Sequence, residues 1–399
     1  MHVKPYKEAP LKVSAFCRSV KLIAWAKGHG CPWDIGTCAA AAYGGRLEVL
    51  QWVREHDCPC DYTTCSRAAA GGHLKVLQWA REHDCPWETD QWCESFFGWF
   101  DGTCASAARG GHLEVLRWAR QHHCSWDELT CASAAQGGHL EVLRWAREHG
   151  CPRDEATCAR AAAGGHLEVV RWAQMRHCPW GDEACERAAA GGHLDVLKFA
   201  REHGCRWHAR TVCARAAEGG HLEVLRWARE HHCSWDVMTC RAAAKGGHLE
   251  VLRWARERDC PWDASVCVAA ARGGHLAMLK WVREHHCPWN ARTCAAAAEG
   301  GHLDVLRWAR EHDCPWEAWT VCARAAEGGH LEVLRWAREQ HNCLWDVRTC
   351  EAAARGGHLE VLKWARDHGC PWNRRTIRFA DSHEHWEVSQ WVREHGCPE

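Results

Sequence analysis

The stretch Gly137-Gly138-His139-Leu140-Glu141-Val142-Leu143-Arg144-Trp145, continued as Ala146-Arg147-Glu148-His149-Gly150-Cys151-Pro152, governs the reading of the 399-residue chain. Its opening string GGHLEVLRWAR returns unchanged from Gly110, Gly219, Gly246 and Gly328, and near-copies start at Gly44, Gly71, Gly164, Gly191, Gly273, Gly300 and Gly356. Worn copies begin at Cys17 and His383, which makes fourteen units. First glycines follow one another after 27 or 28 residues, with one interval of 39. A fixed period of this size marks a repeat array.

Each unit reads as two short helices. From Asp154, a capping residue type, the run Glu155 to Ala163 is rich in alanine, the best helix former. Gly164-Gly165 ends it, because glycine tolerates left-handed backbone. The second helix starts at Leu167; Leu167, Val169, Val170, Trp172 and Ala173 form one apolar side, with Glu168 and Arg171 opposite. A Gly–Cys–Pro or similar stop follows, then a Trp before the next cap. That Trp is expected to staple onto the following helix, for instance Trp262 over Cys267. No run alternates apolar and polar residues, so no strands are expected. A helix pair this short buries its apolar side only by stacking, so the expected fold is an all-α solenoid forming one continuous body.

The segment from Thr157, TCARAAAGGHLEVVRWAQ, is similar to an ankyrin repeat. Aligned on Gly165-His166, Ala161-Ala162 fall on the family's paired alanines, Cys158 on its buried leucine and Val169-Val170 on its core valines. The resemblance extends over all fourteen units. It departs in its shorter period, which removes the projecting finger, and in Trp followed by Ala where the family has two leucines, a large side chain beside a small one. These are short, fingerless ankyrin-like repeats of the kind found in large protist and giant-virus arrays. The resemblance implies that first helices and the adjoining loops line a concave face that binds a protein partner.

Residues 1–13 form an N-terminal extension without the repeat, and the array spans 14–399, with capping units at 14–34 and 376–399. No signal-peptide core and no apolar run of membrane-spanning length is present. The long interval carries an aromatic insertion near 88–101, with Trp92, Phe96, Phe97, Trp99 and Phe100. These aromatics either cover a groove between neighbouring units or form an exposed docking patch.

Twenty-nine cysteines and 31 histidines raise metal chemistry. The cysteines fall into two columns, one six residues before the glycine pair and one just after the second helix; only Cys17, Cys60 and Cys93 stand outside. Both columns map onto small or buried apolar positions, where a thiol acts as a small hydrophobe. Equivalent cysteines of adjacent units lie about 10 Å apart, the spacing of packed helices, beyond the reach of a disulfide. Free thiols in the cytoplasm or nucleus are expected. No zinc knuckle, catalytic triad, paired carboxylates or phosphate loop is present, so neither a cofactor nor an enzyme is expected. The turn histidines, such as His139 and His166, are expected to hydrogen-bond backbone. If they fold as neutral acceptors, stability should fall below about pH 6.5.

Lys+Arg number 50 against 51 Asp+Glu, much of it expected in local pairs such as Arg144 with Glu148. This balance disfavours nucleic acid. The function expected is that of a monomeric, non-catalytic scaffold for a protein partner; a metal- or redox-responsive thiol array is the second reading, and a nucleic-acid array the third. Candidate contact residues are the variable first-helix positions Tyr62, Arg67, Glu128, Glu155, Arg160, Arg187, Arg210, Arg215 and Arg324, together with the aromatic insertion.

Overall fold

A computed structural model describes residues 19–29, 31, 33–87, 102–152, 156–180, 183–341 and 343–398. Among the described residues there are 27 α-helices and no strand. The architecture is the expected one of stacked helix pairs. In a representative unit the first helix spans Glu128–Gln136 and the second Leu140–Glu148. By packing, the chain divides into two compact units, Met1–Trp207 and His208–Glu399.

The first helix begins where Asp127 accepts a hydrogen bond from the Leu129 amide at 3.0 Å. Asp236, Asp263, Asn290 and Asn373 cap their helices in the same way, which satisfies an amide that has no partner inside the helix. The helix ends in a Schellman turn: the His139 amide donates to Ala134 and the Gly138 amide to Ala135. Gly138 sits at φ +78, whereas Gly137 keeps helical backbone at φ −80. Only the second glycine of the pair is therefore required for left-handed geometry.

The second helix closes on the same bonding pattern, with the Cys151 amide donating to Ala146. The left-handed residue there is Gly150 in this unit, but Asp84, His123, His232, Asp259 and His286 in others. Between the two helices lies a narrow core. Cys131, Ala134 and Ala135 from the first, and Leu143 and Ala146 from the second, are fully buried, with Val142 nearly so. Alanine on one side and Leu–Val on the other lets short helices approach closely, and stacking on the neighbouring pair encloses the rest.

The last unit departs where it meets water. Ile377 fills the cysteine position, and Asp381 is tied to Arg393 at 2.7 Å, with both side chains nearly half exposed. At the other end the described part of the first unit is its second helix, Val20–Gly28, with Trp25 53% exposed.

Candidate functional site

Three features repeat from unit to unit, and each has a geometry that bears on function. The first is a histidine lock. Nε2 of His166 donates to the Gln136 carbonyl at 2.9 Å, and His193, His302 and His385 reach back equally to the unit before. The imidazole lies between two glycines. A Cβ on Gly110 would stand 2.5 Å from His112 Cδ2 and 2.7 Å from the Ala70 carbonyl, and one on Gly72 would stand 2.5 Å from His112 Nδ1. The first glycine is thus kept for room rather than for its dihedral angles. His112 donates to the Ala70 carbonyl at 3.1 Å across the long interval, so the insertion leaves the stacking register intact. These histidines hydrogen-bond backbone, as expected, and they do so as donors to carbonyls, so the condition that they fold as acceptors is not met.

The second feature is a ladder on the second helices. Trp262 lies with its ring centroid 6.0 Å from Trp281, edge to face, under the Arg256 guanidinium at 4.1 Å. Arg256 is fixed in turn by donating to the Cys260 carbonyl. Trp281 stacks on His285, whose Nδ1 donates to the Trp281 carbonyl at 2.8 Å and closes the helix end. Ion pairs on this face join Glu114 to Arg117 and Glu223 to Arg226, three residues apart rather than the four expected for Arg144 and Glu148.

The third feature joins the two thiol columns. Within one unit, Cys213 Sγ lies 2.9 Å from Cys233 Sγ, and Cys322 Sγ lies 2.8 Å from Cys343 Sγ. Donation to Cys233, reinforced by burial, pushes the Cys213 thiol up. Burial, opposed by Arg81 and assisted by Cys124, Cys60 and Asp61, pushes Cys65 up to about 12. The second-column thiols also donate to the backbone that caps the first helix of their own unit, as Cys151 does to the Asp127 carbonyl at 3.3 Å. All described cysteines are free thiols. Among the described residues no group of three or more His, Cys, Asp or Glu is arranged to hold a metal ion.

On the first-helix face, Arg67, Glu128, Arg187, Arg210, Arg215 and Arg324 are exposed, whereas Tyr62 and Arg160 are half-buried. Arg187 pairs with Glu183 at 2.6 Å and Arg324 with Glu327 at 2.8 Å. Glu155 and the aromatics Trp92, Phe96, Phe97, Trp99 and Phe100 lie outside the described residues. Two of the expected positions meet: Arg210 and Arg215 line one groove of about 330 Å³ with Glu218, Met238, Arg241 and Lys245. Hydrogen bonding from Lys245 at 2.8 Å, opposed by partial burial and supported by Arg215 at 3.3 Å, holds the Glu218 carboxyl below its usual range. Met238 is 47% exposed and receives Arg241 Nη1 on its sulfur at 3.8 Å. Sequence reasoning passed over Met238, Arg241 and Lys245; they lie about one period beyond Arg210, Arg215 and Glu218, and that spacing was the available signal.

No family model matches this chain, and no curated protein does. Among solved structures, the chain is similar to the crystal structure of the human ASB11 ankyrin repeat domain, with 16% identity and a TM-score of 0.32, over 39% of this chain and 83% of that one. No helix among the described residues is long and apolar enough to cross a membrane.

Proposed function

We propose that the protein is a non-catalytic scaffold that holds a protein partner along its first-helix face, with the Arg210–Lys245 groove as an anchoring point. The groove carries the reading. Four cations, Arg210, Arg215, Arg241 and Lys245, surround Glu218, and Met238 offers an exposed apolar contact beside them. An extended acidic segment with one apolar side chain complements that lining, since charge complementarity selects partners and excludes like-charged ones. The histidine lock and the ladder hold the backbone of this face in place without contributing to it, so the face is free to vary. Arg324 extends the contact within His208–Glu399; on Met1–Trp207, Arg67, Arg187 and the aromatic insertion are separate candidate contacts.

The test is affinity capture from a cell lysate with the full chain and with an Arg215→Glu/Arg241→Glu variant. Arg226→Glu, on the second-helix face, is the reference. The proposal expects proteins retained by the wild type and by the reference to be lost from the double variant. Equal capture by all three sinks it. Capture that disappears on nuclease treatment replaces it with a nucleic-acid reading.

A further inference from the structure

The loop position filled by indole at Trp33, Trp87, Trp126 and most other units is Cys60 in one unit, outside both thiol columns. Its surroundings differ accordingly. Cys85 Sγ donates to Cys60 Sγ at 2.7 Å, across the junction between two successive units. Cys85 is fully buried, whereas Cys60 is partly exposed. Other arginines at the Arg54 position stack on the loop Trp, as Arg120 does on Trp126 at 4.2 Å. Arg54 donates Nη1 to the Cys58 carbonyl at 2.8 Å, and its Nε is buried without a hydrogen-bond partner. A small thiol therefore stands where most units place a ring, between solvent and a buried second thiol.

We infer that Cys60 and Cys85 form a peroxide-sensitive modification site, in which Cys60 is the attacked thiol and Cys85 the resolving one. An exposed cysteine is open to oxidant, and a resolving thiol within contact distance diverts the first oxidation product into a disulfide. The oxidant is a hydroperoxide. The Cys60 thiolate attacks the terminal peroxide oxygen: an S–O bond forms, the O–O bond breaks, and the leaving oxygen takes up the displaced proton as water. Cys85 sulfur then attacks the sulfenic sulfur of Cys60. The S–S bond forms, the S–O bond breaks, and the departing hydroxide leaves as water with the Cys85 proton. Two thiols and one hydrogen peroxide thus give one disulfide and two waters. Burial pushes the Cys85 thiol up, and its bond to Cys60 adds to this, so it is held protonated until the sulfenic acid is formed. The pair Cys213 and Cys233 is equally close at 2.9 Å, but both thiols are buried, and it serves as an internal comparison. The new bond would staple one loop to the next unit and so lock a single junction of the array.

The experiment exposes the reduced full chain to hydrogen peroxide, alkylates the remaining thiols and maps the peptides by mass spectrometry. The expected first product is the Cys60 peptide joined to the Cys85 peptide, lighter by two hydrogens than their sum, while Cys213 and Cys233 remain alkylated. In Cys60→Trp, which restores the residue that most units carry, loss of Cys85 should slow by about ten-fold or more. Cys60→Ser, checked for native helical signal, should behave in the same way. The inference is overturned if Cys60 remains fully alkylated, if it passes to sulfinic acid with Cys85 still reduced, if it links to another cysteine, or if Cys213 and Cys233 react as fast.

Discussion

At the scale of single residues, the array carries its own controls. Position seven before the glycine pair is Thr in most units, Val in three and Ala184 in one, and it is buried: Thr239 and Val266 are each fully enclosed. The hydroxyls of Thr130, Thr239 and Thr349 have no hydrogen-bond partner, whereas Thr103 donates to the Trp87 carbonyl at 3.2 Å. A buried hydroxyl without a partner loses about 1–3 kcal/mol of solvation, and a same-shape apolar replacement removes that penalty. Thr239→Val should accordingly raise stability by about 1 kcal/mol, read as a higher urea midpoint at unchanged slope. Thr103→Val, which breaks a bond that is made, should lower it. Matching shifts of one sign in the two variants would show that the hydroxyls are not what distinguishes these sites.

At the scale of the helix and its turn, much was legible and some was not. The helix pairs, their caps and the buried columns follow from periodicity and glycine, because those signals are local. The reason for the first glycine was hidden: the histidine two residues on folds its ring over it on the way to a carbonyl one unit away, and sequence shows the turn but not that neighbour. The pairing of the thiol columns was hidden for the same cause. Comparing equivalent cysteines of adjacent units is a comparison along the stack, while the close approach, as in Cys213 with Cys233, runs across one unit between residues 20 apart. The edge of Trp262 on Trp281 was hidden because it joins the loop to the second helix, across the whole first helix in sequence. The groove residues Arg210 and Arg215 were legible as variable positions, but not that they converge with Arg241.

The lock also sets a pH response at this scale. Burial lowers the pKa of His139, opposed by its bond to the Arg109 carbonyl and assisted by His112 and His166; His358 is lowered in the same way between His330 and His385. With the folded pKa below the unfolded one, the unfolded chain binds more protons as acid is added. Stability is therefore full above the unfolded value of about 6.5 and declines as pH falls through it toward the lower folded values. This arises although the histidines are donors, so the cause is burial and neighbouring charge rather than loss of an acceptor. The urea midpoint should decrease from pH 7.5 to pH 5, and less steeply in a His139→Asn/His358→Asn variant. A midpoint that holds steady over that range would remove the lock as a titrating element.

At the scale of the molecule, stability in such an array is a sum of units and of junctions between neighbours. Within His208–Glu399 the register is uniform enough to make that additivity testable by deletion. Removing residues 246–272 joins Lys245 directly to Gly273 and takes out the helices Leu249–Arg256 and Ala264–Arg272, one second helix and one first helix. His275, which now donates to the Lys245 carbonyl at 3.3 Å, then occupies the place of His248, facing the Glu218 carbonyl that lies beside Gly246. Cys240 regains a partner in Cys287, and Trp262 and Trp281 are replaced by a junction of Trp235 with Trp281, residues of the same two positions in the ladder. The pair of Arg272 with Glu299 is lost, but it is exposed and contributes about 1 kcal/mol or less. The shortened chain should fold, with helical signal and denaturant slope reduced in proportion to the residues removed. Removing only 246–258 leaves the helix Ala264–Arg272 without a second helix before it, and should cost far more structure than its length. If both deletions lose helix in proportion to length alone, the units are independent helices on a string. If both unfold the chain, the array behaves as a single cooperative body, and the nearest-neighbour account of its stability is wrong.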